Sequence, residues 1–146
     1  MRKDTIVIHH SLTQDSGSVS WNAMRRWHMN VNGWTDIGYH AGVEWIDDAA
    51  GKGHYEVLMG RPLDVAGAHA PGLNTRGLGF VFVGNFDLAP PDDEMLVYAA
   101  KHLRWMMNLL GIEANENTVV PHNSVAPHKT CPGKLFPMNR LIGLLT

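Results

Sequence analysis

The 146-residue chain has a single cysteine, Cys131, so no internal disulfide can staple it. A lone thiol is left three roles: a small buried hydrophobe, a reactive group or a metal ligand. An excess of charge of one sign is also missing. Twelve Lys and Arg stand against fourteen Asp and Glu, a formal net charge of −2, which leaves no electrostatic footprint for nucleic acid or for an anionic membrane surface. Long apolar runs are lacking too. The N-terminus, MRKDTIVIHHSLTQD, returns to polarity after a few apolar residues, too short for a signal-peptide core or a membrane span. The expectation is a monomeric chain made and folded in the cytoplasm, with no membrane insertion. Repeats, linkers and low-complexity tracts are absent, and a 45% hydrophobic content suits one core. A single domain over residues 1–146 is expected.

What is present reads as alternating strands and helices. Thr5 to His9 is β-branched and apolar on both faces, as in an interior strand of a covered sheet, with His9 at its C-terminal end. Ser20, Trp21, Met24, Trp27 and Val31 form a helical stripe, with Ser20 as N-cap and Gly33 as the stop. Tyr39 to Ile46 and His54 to Met59 predict a hairpin across the Asp/Gly-rich DDAAGKG, and LGFVFVG, 78 to 84, predicts another strand. After APPDDE, Leu96, Ala99, Leu103, Met107 and Leu110 recur at helical spacing until Gly111. A short strand, Thr118 to Val120, leads into His122, and a last helix starts near Pro137 with Met138, Leu141, Ile142 and Leu145 on one side. The fold class is α/β, a central mixed β-sheet flanked by helices. Its strand-end rim is where ligands bind in open α/β sheets.

Two histidines fall at that rim. His9 and His122 each follow a strand, and Cys131 sits on a loop stiffened by Pro127 and Pro132. Two imidazoles and one thiolate would hold Zn²⁺ and leave its fourth tetrahedral position to water, the arrangement of a catalytic rather than a structural zinc. Such a water is acidified to a pKa of about 7, enough to attack an amide at neutral pH. The other requirement is support for the oxyanion. Lys129, two residues before Cys131, and Tyr39, which alternates with His40 along GYHAGVEW, can each supply it. Spacing alone assigns neither role. His28, His54 and His102 read as surface or satisfied core residues.

The same residues resemble the type 2 N-acetylmuramoyl-L-alanine amidases, a zinc family that includes small phage lysins and peptidoglycan recognition proteins. The likeness runs in order through IVIHHSLT, RRWHMNVNGWTDIGYH, GRPLDVAGAHAPGLN, GFVFVGNF and PHNSVAPHKTCPG, and so covers nearly the whole chain. It is strongest to the single-domain phage lysins. The resemblance implies that His9, His122 and Cys131 are zinc ligands, that Tyr39 orients the reacting water and oxyanion, and that Lys129 is the cationic oxyanion stabiliser. It implies a substrate, the amide joining the lactyl group of N-acetylmuramic acid to L-alanine in peptidoglycan, and sugar or peptide contacts for His69 and Asn74. Three features depart from the pattern: His128 is an extra residue in the ligand loop, Gly77 stands where serine is common, and the turn in DDAAGKGHYE is long. By analogy with lysins, a chain without a leader or a separate wall-binding module reaches the wall after another factor breaches the membrane.

Three rival readings use the same residues. A non-catalytic peptidoglycan-binding module would have the fold without the chemistry, but such relatives lose the cysteine. A cysteine hydrolase would make Cys131 the nucleophile and His122 or His128 its base, and would survive chelation. A blue-copper carrier wants a histidine and a weak methionine ligand soon after the cysteine, and no histidine follows Cys131.

Overall fold

A computed structural model describes residues 2–13 and 20–146. Five strands form one sheet in the order β3-β2-β4-β1-β5. They are β1 (Thr5–His10), β2 (Ala41–Asp47), β3 (Gly53–Met59), β4 (Gly77–Phe82) and β5 (Val119–Pro121). The β2–β3 pair is antiparallel, whereas β1 runs parallel to both β4 and β5, and β2 parallel to β4. Among the described residues the α-helices are α1 (Ser20–Asn30), α2 (Asp93–Leu110) and α3 (Met138–Leu145). This is the expected mixed α/β sheet, with β1 as an interior strand buried along its whole length.

Strand alternation sorts the side chains onto two faces. Ile6, Ile8, Leu78, Phe80, Phe82, Ala41 and Val43 join the main apolar cluster with α2 and α3. Helix α2 presents a stripe wider than the periodicity suggests, burying Met95, Ala100 and Met106 beside Leu96, Ala99, Leu103 and Met107. Asp93 and Glu94 sit in its first turn, and Gly111, in the left-handed region at φ 69°, closes it. The opposite face carries Val7, His9 and Val81, covered by α1 and by the loop between β3 and β4.

Helix α1 is seated differently from the predicted stripe. Trp21 is buried against Val81 and Ile37, and Met24 and His28 are half-buried, whereas Trp27 is 60% and Val31 59% exposed. The helix begins at Ser20, the residue expected at its start. The carboxylate of Glu44, fully buried on β2, accepts the backbone N–H groups of Ser20 (2.9 Å) and Trp21 (3.4 Å). A buried anion and the unsatisfied donors of a helix start thus satisfy each other.

Strand boundaries shift by one or two residues from the expected ones. Strand β2 begins at Ala41, so Tyr39 and His40 precede it, although His40 N–H still bonds to Gly79 O at 2.9 Å. Strand β4 runs from Gly77 to Phe82 instead of 78 to 84, and β5 ends at Pro121, directly before a 3₁₀ turn that starts with His122.

Candidate metal centre and active site

At the C-terminal rim of the sheet, the ring nitrogens of His9 and His122 and the sulfur of Cys131 offer ligand atoms lying within 4.8 Å of one another. His9 stands at the end of β1, and His122 opens the 3₁₀ turn after β5. Because β1 and β5 are parallel neighbours, with Ile8 opposite Pro121, their ends emerge side by side. The two rings lie 4.4 Å apart.

Cys131 arrives from a loop 122 residues away in sequence from His9, and several contacts hold that loop. Asp87 accepts the Thr130 hydroxyl (2.7 Å) and the Lys134 N–H (2.9 Å), and Leu135 N–H bonds to Phe86 O. Gly133 sits at φ +117°, where a Cβ would lie 2.5 Å from the backbone carbon of Phe86. The glycine of CPG is therefore required by the close approach of two backbones. The loop delivers Cys131 Sγ to 3.7 Å from His9 Nδ1, and the sulfur accepts the backbone N–H of His10 at 3.3 Å. A tetrahedral ion with bonds of about 2.0 Å to nitrogen and 2.3 Å to sulfur separates those two atoms by about 3.5 Å.

The donor set passes a second test. Nε2 of His122 is buried with no hydrogen-bond partner, the one such side-chain atom among the described residues. Orphaned buried nitrogens are costly, and a bound cation removes that cost. Burial, the main cause, pulls His122 down to about 4 and His9 well below the ordinary histidine range. Both rings are therefore neutral at pH 7 with lone pairs free to ligate. Burial pushes the Cys131 thiol up to about 11. A coordinated cation reverses that tendency and deprotonates the thiol outright.

The cluster opens on a cleft of about 470 Å³ lined by Tyr39, His28, Trp34, His128 and Lys129 among others, a volume suited to a small-molecule-sized group. Tyr39 places its ring 5.1 Å from that of His9. Burial, then the nearby Cys131, raises its phenol above the ordinary tyrosine range, so it remains an O–H donor. Lys129 is exposed at the rim, and its charge acts on His9, His122 and Cys131 alike.

The remaining predicted residues are placed differently from one another. His69 lines the back of the cleft, where its Nδ1 lies 2.9 Å from His9 Nε2. Asn74 is not in the cleft lining, and its Oδ1 accepts the backbone N–H groups of His69 (2.7 Å) and Ala70 (2.8 Å). His28 and Trp34 are cleft residues that the sequence reading passed over. The ring of His28 packs 4.8 Å from Trp34 and 5.8 Å from Tyr39, and its Nδ1 accepts Gly38 N–H. The available signal was the i, i+7 pairing of Trp21 with His28. His54 bonds to Glu56 on the surface and His102 to Tyr98 O, as structural histidines do.

A mixed sheet with three converging donor groups at its rim, beside an open cleft, is compatible with a hydrolase of mixed α/β fold. The chain belongs to the N-acetylmuramoyl-L-alanine amidase family, whose profile matches residues 1–134. It is 32% identical over 130 residues to the endolysin of Escherichia phage T7, covering 88% of this chain and 80% of that protein. Among solved structures it superposes on the N-acetylmuramoyl-L-alanine amidase LysC of Clostridium intestinale with a TM-score of 0.80 at 26% identity, covering 99% of this chain and 85% of the other. Wild-type Drosophila PGRP-LB aligns with a TM-score of 0.75 at 28% identity over 92% of this chain and 76% of its own. No helix among the described residues is long and apolar enough to cross a membrane.

Proposed function

We propose that this chain is a zinc-dependent amidase that cleaves the bond between N-acetylmuramic acid and L-alanine of peptidoglycan, and that it serves as an endolysin in host lysis. The observation that carries the reading is the convergence of His9, His122 and Cys131, whose ligand atoms lie within 4.8 Å of one another, with His9 Nδ1 facing Cys131 Sγ and a buried His122 nitrogen lacking a hydrogen-bond partner. These three residues would hold one ion per chain. When bound, zinc acidifies a water molecule and polarises the scissile carbonyl.

The chain's own groups do the rest. Tyr39, kept protonated by its surroundings, donates its hydroxyl proton in a hydrogen bond toward the oxygen on which negative charge develops. Lys129 brings a cation to the same side of the cleft from the loop that carries Cys131. Trp34, His28 and Ala68 form the walls beside the reacting amide. The alternative in which Cys131 is the nucleophile is disfavoured, because burial moves its thiol away from the thiolate that attack requires.

Mass spectrometry of peptidoglycan digested with and without 1,10-phenanthroline tests both halves of the proposal. The expected products are intact stem peptides with a free L-alanine amine and glycan strands with free lactyl groups, both lost on chelation and restored by added zinc. Cleavage that persists after metal removal overturns the mechanism, and retained zinc with no released peptide indicates a binding module instead.

A further inference from the structure

Behind His9 lies a chain of buried imidazoles that the catalytic reading leaves unused. His69 Nε2 lies 3.4 Å from the carbonyl oxygen of Gly77, and its Nδ1 lies 2.9 Å from His9 Nε2. A carbonyl oxygen can only accept, so Nε2 of His69 carries its proton, and in a neutral ring Nδ1 is then bare and accepts. The proton between the two rings therefore belongs to His9 Nε2. That leaves His9 Nδ1 unprotonated, and this is the atom that faces Cys131 Sγ at 3.7 Å.

The slot around His69 is built to hold the ring in this pose. A Cβ at Gly79 would come within 2.6 Å of His69 Cγ, and one at Gly67 within 2.4 Å of its Cδ2, so both backbones abut the ring. His40 meets it edge-on with centroids 5.7 Å apart, and is itself fixed by Gly79 N–H on Nδ1 and Val65 O on Nε2. The loop carrying His69 is tied by the Asn74 side chain to two of its N–H groups, and by the buried Lys3, whose Nζ donates to Thr75 O at 2.9 Å.

We propose that His69 is a positioning residue: it holds His9 in the Nε2–H tautomer and so presents Nδ1 to the metal cluster. The proposal builds on the zinc reading, but its first consequence concerns the metal-free protein. Outer partners of this kind commonly set ligand orientation and change metal affinity by about 10- to 100-fold.

Long-range ¹H–¹⁵N spectra of metal-free, ¹⁵N-histidine-labelled protein at pH 7.5 test it directly. In the wild type, His9 Nδ1 should show the shift of an unprotonated nitrogen and Nε2 that of a protonated one. In His69→Leu, His9 should populate both tautomers, and zinc affinity in a chelator competition should fall about 10- to 100-fold. His69→Asn, which keeps an acceptor near the Nδ1 position, should restore the single tautomer and most of the affinity. A proton on His9 Nδ1 in the wild type overturns the proposal even if the leucine variant fails to fold. An unchanged His9 tautomer in His69→Leu overturns it as well. If the tautomers behave as expected but the wild type retains no zinc, the metal reading falls and the positioning role stands.

Discussion

The two faces of the one sheet are built from different materials. Against α2 and α3, the strands present Ile6, Ile8, Leu78, Phe80 and Phe82, all fully buried and apolar. Facing α1 and the loop between β3 and β4, the neighbouring positions are Val7, His9, Gly77, Gly79 and Val81, and the space beside Gly79 is taken by His69, that beside Gly77 by Leu73, and that beside Gly42 on β2 by the Trp21 ring. Alternation by single residues thus lets one strand serve both ends, with Ile8 in the core and His9 in the candidate ligand cluster. The apolar face supplies the burial that holds the fold. The histidine face spends part of that stability on polar groups kept dry and neutral, as sites that need preorganised ligands do.

That division is broken most severely at the donor atoms. Cys131→Ser should lower amidase activity by at least about 10³-fold, the scale of losing a group essential to the chemistry, and should abolish zinc retention measured by elemental analysis. Metal-free thermal stability should change little, because a serine hydroxyl can accept the His10 N–H that Sγ accepts at 3.3 Å. A serine variant with near-wild-type turnover would remove the histidine face from the chemistry.

The converse change belongs to the apolar face. Phe80→Ala empties a fully buried site between Phe82 and α2, which should cost about 3–5 kcal/mol in urea unfolding. Zinc bound per folded molecule should stay at one. If zinc stoichiometry and stability fall together in this variant under conditions where it remains folded, the two faces are not separable.

A smaller effect is expected from pH. His40 is fully buried, and its pKa is pulled to about 4, chiefly by burial, with Val65 O opposing and Lys3 and Arg61 adding to the fall; the His69 ring faces it as well. A free imidazole titrates near 6.5. Between about pH 6.5 and 4 the unfolded chain therefore takes up a proton here that the folded chain refuses. This contribution to stability is complete above about pH 6.5 and is lost as pH falls toward 4, at up to about 1.4 kcal/mol per pH unit for one such histidine. Urea unfolding of metal-free protein across that range measures this contribution together with those of His9, His10, His28, His69 and His122, which burial lowers in the same direction. Stability that stays level from pH 7 to 4.5 would mean that the histidine face is wet rather than dry.

Much of this was legible in the sequence because it depends on local pattern. The donor histidines are marked by strand ends, α2 and α3 by their periodicity, and the mixed sheet by the order of its elements. The His69 pairing was not legible, since a contact spanning 60 residues between two ring nitrogens leaves no local trace. Nor was the partner of the first N–H groups of α1, because the Glu44 carboxylate that accepts them lies on a strand more than twenty residues away in sequence. Lys3 is buried against the loop that carries His69, a placement that the two basic residues of the N-terminus do not signal.

Helix α1 gives the smallest and sharpest test. Trp27 and His28 compete for the inward position three or four residues after Met24, and hydropathy alone selects the tryptophan. The structure selects His28, because Trp34 and Tyr39 cover its ring and Gly38 N–H satisfies its Nδ1, leaving Trp27 outside the packing. A polar group with a partner on this face is worth more than an apolar one without a cavity to fill. Trp27→Ala should therefore shift unfolding free energy by no more than about 0.5 kcal/mol, as surface changes do, with zinc content unchanged. A loss several times larger in the urea midpoint would return Trp27 to the interior and turn the helix by one residue, taking His28 out of the cleft.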